Sequence, residues 1–463
     1  MRATIVYIML RRFLMRRAYN NRKWGQARKI ANEILTIPKE RKLARSIIIR
    51  SYYNEGEFEM VIKLNSQWDG DFQYLVERIR DPEVRFEANS ERIKKIHVNQ
   101  PAPNLVIEFD SDITINNFHQ EEGRLWMRYP NGWTFWDMPK GYSLDETHPD
   151  LLRLTCEILL YPWYPFAKKT LDKTRMKGKE IALSFSAGVD STAAAMIMPD
   201  TTILGYHRRS LKTILDHRNA EGLITHMKNQ KRRIIDVASN HEIIRTHHGK
   251  QIGFSSDFAT ATHLILLADF LKIGAIGFGT PIDNTYLWKG RKYRDFSESN
   301  YYKNWTQRFL DAGIDLLFPL APISEGGALK IVRQAPFVSL VNSCLRGNGT
   351  EGCGICWKCF HKNGPLGRDY NLKSNEIQTF LQREFIPTTT HVLWAVQKMN
   401  IGDQVPSLEK FLGEDFSWWT DYYPPAFDII QEPYKDEILK KTMQYLSPME
   451  EPYRLERINH YLE

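Results

Sequence analysis

The feature that most narrows the fold is a change of texture at residues 181–196. An apolar run, Ile181-Ala182-Leu183-Ser184-Phe185, passes directly into Ser186-Ala187-Gly188-Val189-Asp190-Ser191 and then into Thr192-Ala193-Ala194-Ala195-Met196. A strand that feeds a small-residue loop and then a helix is the layout of a phosphate-binding turn. Ser186, Ala187 and Gly188 let the backbone pass close to a phosphate, and a helix start at Asp190-Ser191 offers unpaired N–H groups at the positive end of the dipole. The hydroxyls of Ser186 and Ser191 add donors. Without a ligand the same turn is only a tight strand-to-helix connection. No Gly-x4-Gly-Lys-Ser/Thr loop occurs in the chain, which argues against ordinary γ-phosphate chemistry.

Alternating signals continue beyond this turn. Residues 202–206 and 234–237 are strand-like, a helix fits 219–229, an amphipathic helix fits 259–270, and 275–279 is a further strand. Alternation of this kind predicts an α/β fold, a parallel doubly wound sheet with helices on both faces. Ligands in such sheets sit beyond the carboxyl ends of the strands, where the small-residue loop lies.

The rest of the 463 residues is long enough for further cores. At the N-terminus, Tyr19 to Arg28 aligns with Tyr53 to Ile62, and Trp24 and Phe58 are 34 residues apart. That period resembles a tetratricopeptide repeat and predicts two helical hairpins over about residues 3–68. They serve either to dock a partner or as a structural cap. Residues 105–109, 124–129 and 133–136 read as short strands, with Pro130-Asn131-Gly132 as a hairpin turn and a helix over 150–160. A basic linker over 168–179 leads into the central strand. Beyond residue 366 the chain reads as helical and polar, with no chemistry in it. The expected domains are helical repeats at 1–70, a β-rich module at 71–165, the nucleotide domain at 166–365 and a helical region at 366–463.

The net charge of +8 belongs to one end of the chain. Residues 1–50 hold 14 Lys or Arg against two Glu, whereas the remainder holds 49 basic and 53 acidic residues. The basic helices could face a protein partner, nucleic acid or another acidic surface, or be a solvated face. No apolar run approaches a membrane span, and no cleavage site follows the short run at 3–10, so a cytoplasmic protein with no membrane partner is expected.

Four of the five cysteines cluster as C-x8-C-x2-C-x2-C at Cys344, Cys353, Cys356 and Cys359. Four thiolates at this spacing can close a tetrahedral Zn2+ site with no open position, so the metal's role would be structural. His361, two residues on, reads as a bystander, and the lone Cys156 as a core thiol.

The loop at 186–191 resembles the PP-loop, Ser-Gly-Gly-x-Asp-Ser, of the ATP pyrophosphatases, with Ala187 in place of the first glycine. An alanine there keeps the close approach if its φ is negative. Taken with the cysteine cluster in this order, residues 180–362 resemble the 7-cyano-7-deazaguanine synthase family and its diverged relatives, some associated with antiviral defence. Gly205 to Arg209, Gly277 to Asp283, Tyr293 to Phe296 and Pro319 to Ile331 sit where that family has landmarks of similar character. The resemblance implies a PP-loop fold with a zinc knot and a ligase that splits ATP between its α and β phosphates. A carboxylate or amide oxygen of a small-molecule or nucleobase-like substrate would attack the α-phosphate, pyrophosphate would leave, and an amine would displace AMP. It implies ATP and Mg2+ on Ser184, Ser186, Ala187, Gly188, Val189, Asp190 and Ser191, with Gly279, Thr280 and Lys330 also at the nucleotide. Asp190, Ser191, Arg208 and Asp283 are the implied catalytic residues. Arg209 is a further candidate phosphate clamp, and Asp295 a further metal or substrate contact. A PP-loop tRNA-modifying enzyme and a non-catalytic nucleotide-binding scaffold are the rival readings.

Overall fold

The computed structural model describes residues 2–20, 23–55, 57–72, 75–76, 79, 100–110, 115–161, 163, 175–211, 218–248, 250, 252–344, 346, 351–383 and 386–460. They fall into two compact units. One comprises residues 1–99 with 373–384, and the other 100–372 with 385–463.

In the first unit, α1 (Arg2–Asn20), α2 (Trp24–Ile34), α3 (Arg41–Glu55) and α4 (Phe58–Gln67) follow one another, each packed on the next. Met15, Ala27, Ile30, Ile34, Ile47 and Ile48 form the core between α1, α2 and α3, with small alanines letting the helix axes approach. The internal repeat reappears as geometry. Tyr19 packs against Trp24 at 5.0 Å between ring centroids, and Tyr53 against Phe58 at 5.8 Å. Lys23 and Glu57, the residues before α2 and α4, have nearly the same backbone angles, φ −82° and ψ 66° against φ −76° and ψ 62°.

The second unit is built on an eight-stranded sheet of order β1-β2-β3-β6-β5-β4-β7-β10. Its strands are β1 (Phe118–Glu121), β2 (Arg124–Tyr129), β3 (Gly132–Asp137), β4 (Glu180–Ser184), β5 (Ile203–Arg209), β6 (Ile234–Ser239), β7 (Ile273–Phe278) and β10 (Asp315–Leu317). A separate ribbon pairs β8 (Leu287–Trp288) with β9 (Lys292–Tyr293). Neighbours from β6 through β10 are parallel, and β1, β2 and β3 add antiparallel strands at one edge. The protein is thus a mixed α/β fold around a mostly parallel sheet.

The strands at 118–137 do not form a module of their own. The pairing Trp136↔Ser239 joins them to β6, and Asn240 Oδ1 accepts the Phe135 amide at 2.9 Å. Residues 105–109, expected as a strand, belong to no strand or ladder. The helix expected over 259–270 is instead a 3-10 turn, Asp257–Ala261, followed by a short helix, Thr262–Leu266. The segment beyond residue 366 is not a polar tail, since Phe416, Trp419, Tyr423 and Phe427 are buried in it. Much of the basic linker at 168–179 lies outside the described residues. Among those described, no helix is long and apolar enough to cross a membrane.

The order of connections places the site. From β4 the chain winds outward to β5 and β6, then returns across β4 to β7 and on to β10. Adjacent strands β4 and β7 therefore lead away in opposite directions at their carboxyl ends, which opens a crevice there. Two glycines set the β4–β7 register. Gly274 sits at a bulge, where Glu180↔Ile273 is followed by Ile181↔Ala275, and a Cβ on it would lie 2.0 Å from the Gly178 carbonyl oxygen. Backbone cannot move aside as a side chain can. Gly274→Ala should therefore destabilise the fold by about 1–3 kcal/mol, read as a lower urea midpoint at unchanged slope.

Candidate functional site

The crevice holds a cavity of about 310 Å3, lined by residues from the ends of β4, β5 and β7 and from the cysteine-rich segment. Ser184, Ser186, Gly188, Asp190 and Ser191 come from β4 and the loop, and Gly279 and Thr280 from the end of β7. These are the residues that the sequence pattern singles out for a phosphate. The helix Val189–Ile197 starts at Gly188, so the amides of its first turn have no acceptor within the helix. Three serine hydroxyls surround them. Ser191 Oγ accepts the Ser186 amide at 3.1 Å and lies 3.0 Å from Ser186 Oγ, while Ser343 Oγ accepts the Val189 amide at 3.0 Å. A polar anion entering the cavity would meet both these hydroxyls and the helix start.

Two small residues shape the loop. Ala187 adopts φ 59°, so the condition of a negative φ is not met. Its methyl group is buried and tolerated in the left-handed region, at a strain of about 1–2 kcal/mol relative to the right-handed one. The place of the motif's first glycine therefore has the conformation that glycine adopts without strain. At the other wall, a Cβ on Gly279 would stand 3.1 Å from the Asp190 carbonyl and the Ser191 Cα. That glycine lets the end of β7 close on the loop.

The second half of the wall comes from the cysteine cluster. The four thiols lie with Cys353–Cys359, Cys344–Cys356 and Cys356–Cys359 sulfur separations of 3.9, 3.7 and 3.6 Å. A tetrahedron with Zn–S bonds of about 2.3 Å has edges of about 3.8 Å, so the four sulfurs could hold a metal ion such as zinc with little movement. Ser343 immediately precedes Cys344, and Lys358 stands between Cys356 and Cys359; both line the cavity. Three residues past Cys359, the Lys362 ammonium lies 2.6 Å from Asp190 Oδ1 and 3.0 Å from Glu325 Oε2. A short π-helical turn, Cys359–Asn363, carries Lys362 from the cluster to the loop.

Behind this ion pair is a buried polar core. Glu325 Oε2 also lies 3.2 Å from His361 Nδ1 and 3.5 Å from His391 Nε2. Burial alone would raise the Glu325 pKa, but Lys362, then His391 and His361, hold it well below the ordinary value. Burial likewise opposes a charged Lys362, and the Asp190 and Glu325 carboxylates outweigh it and raise its pKa. Glu325, His361 and His391 are close enough to share a metal ion. Lys362 already supplies a cation to the same Glu325 oxygen, however, and His391 Nε2 donates to the His361 carbonyl at 2.8 Å. We therefore read this group as an ion-paired core, in which His361 takes part.

The other residues named from the sequence divide. Asp283 is fully buried behind the loop, where its Oδ2 accepts the Glu325 amide at 2.9 Å. Burial and the neighbouring Glu325 push its pKa well above the usual carboxylate range, and it does not line the cavity. Arg208 faces away, paired with Asp236 and Glu221. Arg209 does line the cavity, but Glu242 takes its guanidinium on both arms. Lys330 lies elsewhere, 3.7 Å from Asp421. Asp295 accepts from Ser297 in its own turn. Sequence reasoning missed Ser343, Lys358, Lys362 and Glu325. The only signal for the first three was their position beside ligating cysteines, a place usually read as part of a metal knuckle.

Residues 304–457 match a family of unknown function, DUF6395, over less than half of the chain. No curated protein and no solved structure matches the chain. The matched segment contains Glu325, the four cysteines, Lys358 and Lys362, while the loop at 186–191 lies outside it.

Two outcomes follow from this geometry. If the four sulfurs hold a metal ion, stripping it with a thiol-competing chelator should loosen the segment carrying Ser343, Lys358 and Lys362. Hydrogen exchange of the Val189 amide, which Ser343 Oγ caps, should then accelerate along with that of the cysteine segment. The second concerns acid. On the β5 side of the cavity His207, His241 and His263 pack together, with 4.5 Å between the His207 and His241 rings. Burial lowers His241 to about 3 and His263 to about 4, from an ordinary 6.5. The unfolded chain binds protons at these sites first. Stability is therefore full above pH 6.5 and should fall as the pH drops from there toward 4, as followed by denaturant midpoints.

Proposed function

We propose that the chain is an ATP-dependent adenylating ligase of the PP-loop type, similar to the 7-cyano-7-deazaguanine synthases. In this reading, ATP lies in the 310 Å3 cavity with its phosphates on the loop at 186–191. An acceptor carboxylate or amide oxygen forms a bond to the α-phosphorus as the α–β bridging bond breaks, releasing pyrophosphate. An amine then attacks the adenylated carbon, AMP departs with the oxygen, and the amine loses a proton. The observation that carries this reading is the loop itself. Three serine hydroxyls and the first turn of a helix surround one cavity, at the point where the strand order reverses.

The protein's part would be binding and charge compensation. Ser186, Ser191 and Ser343 donate to phosphate oxygens, with Gly188 and Gly279 allowing close approach. Lys358 would meet the leaving pyrophosphate. Mg2+ bound with the triphosphate would be met by Asp190, whose other oxygen is held by Lys362, and would offset phosphate charge. Phe185, Tyr206 and Phe278, also in the cavity wall, supply apolar surface for a nucleobase.

The reading is tested with ATP labelled at the α and γ positions, Mg2+ and a panel of small carboxylic acids and amines. AMP and pyrophosphate are the expected products, with no ADP. Removing one donor to the transferred group typically costs about 100-fold in kcat, so Ser191→Ala and Lys358→Ala should each fall by roughly that factor. Failure of the wild type to bind ATP in calorimetry, or formation of ADP and phosphate instead, would remove the proposal.

A further inference from the structure

A second cavity, of about 520 Å3, lies between the helices Glu325–Arg333 and Thr389–Met399 and the turn at 415–420. It shares no lining residue with the cavity at the loop. All of its lining falls within residues 304–457, the segment that matches the family of unknown function.

Its chemistry is uneven from end to end. Lys330, Arg333 and Lys398 converge on it from two helices, with Asp415 as the one carboxylate in the lining. Asp415 lies 3.1 Å from Arg454, and Lys330 lies 3.7 Å from Asp421. Among the described residues neither Arg333 nor Lys398 has an ion-pair partner. These two also line an adjoining cavity of about 430 Å3, which marks the end where the positive charge collects. Elsewhere the wall is mixed, with the largely buried Trp394 and Phe416 beside the polar Gln397, Ser417 and Thr420. The Trp394 indole is stacked on His391, 5.3 Å between centroids and 29° between planes, so its orientation is set by the buried core. Gly326 lets the helix come up to these rings, since a Cβ there would stand 2.8 Å from Trp419 and 3.3 Å from Trp394.

Unpaired cations beside ordered aromatic walls, in a cavity of ligand size, suit a molecule that is anionic at one end and flat at the other. We infer that this cavity binds a phosphorylated heteroaromatic molecule, of which a nucleoside monophosphate is the simplest. The phosphate meets Arg333 and Lys398, and the ring lies against Trp394. The site is separate from the proposed ATP site and does not depend on it.

The test is calorimetric titration of the full chain with AMP and, separately, with inorganic phosphate. Wild type is compared with Arg333→Glu/Lys398→Glu and with Ser191→Ala. In Ser191→Ala, where the loop is impaired, AMP binding at this cavity should persist and quench tryptophan fluorescence. The double charge reversal should weaken that binding by about ten-fold or more, the usual effect of losing a charge-assisted hydrogen bond. Phosphate alone should bind more weakly than AMP, because it lacks the ring. If the double reversal fails to fold by circular dichroism, Lys398→Gln alone replaces it, with the same direction of change. AMP binding that is identical in wild type and charge variants, or no AMP binding in Ser191→Ala, overturns the inference. A loop that binds nucleotide normally in either case leaves the proposed function standing, so the two failures are distinguishable.

Discussion

One ammonium group, that of Lys362, is shared by the Asp190 and Glu325 carboxylates, and the geometry of the loop depends on it. The three side chains come from three separate stretches of chain: the cysteine segment, the helix start after β4, and the start of the helix Glu325–Arg333. Two carboxylates brought this close would repel each other without a cation between them. Removing the lysine from such a buried group typically costs about 3–5 kcal/mol, more than most single contacts in a fold. The ion pair thus constrains where the loop, the cluster and the helix can lie relative to one another.

That constraint explains why the cavity has two origins. One wall is the loop and the strand ends of a parallel sheet, the place where such folds leave a crevice. The opposite wall is Asn342, Ser343 and Lys358, held beside cysteines whose spacing suits a tetrahedral metal. A metal with four sulfur ligands has no open coordination position. A metal held by these four sulfurs would act by position alone. The cysteine segment places a hydroxyl and two ammonium groups at the edge of the loop at 186–191, and the π-helical turn after Cys359 sets the reach of Lys362. The same buried core continues through Glu325 and His391 to Trp394, so both cavities are built against it.

Much of this was legible in the chain. The run at 181–196 predicts the strand, loop and helix that are observed, because period and small-residue content act locally. The strands at 203–209, 234–239 and 273–278 are legible for the same reason, as is the 34-residue repeat of α1 to α4. The errors are of another kind. Residues 105–109 have strand composition but meet no ladder partner. The periodic run at 259–270 is apolar enough to be buried, with Phe258 against Phe278 and Leu264 against Gly205, yet it is helical only over Thr262–Leu266, after a 3-10 turn. Lys330 reads as a phosphate clamp from its position in a landmark, yet its helix turns it to the other cavity. The stretch beyond 366 looks polar because its many charged residues mask the aromatics that it buries.

The α/β alternation, the small-residue loop and the four cysteines with a spacing that suits a tetrahedral metal can all be read from the chain alone. Each depends on residues close together in the chain, whose chemistry needs no long-range partner to be recognised. Only the folded chain brings the cysteine segment to face the loop and sets Lys362 between Asp190 and Glu325, and only there is the positive φ of Ala187 seen. The first two outcomes turn on charge neutralisation and close packing between segments far apart in the chain, 172 residues in the case of Asp190 and Lys362. Such interactions leave no periodicity in the chain, because they exist only once the sheet has brought its strand ends together.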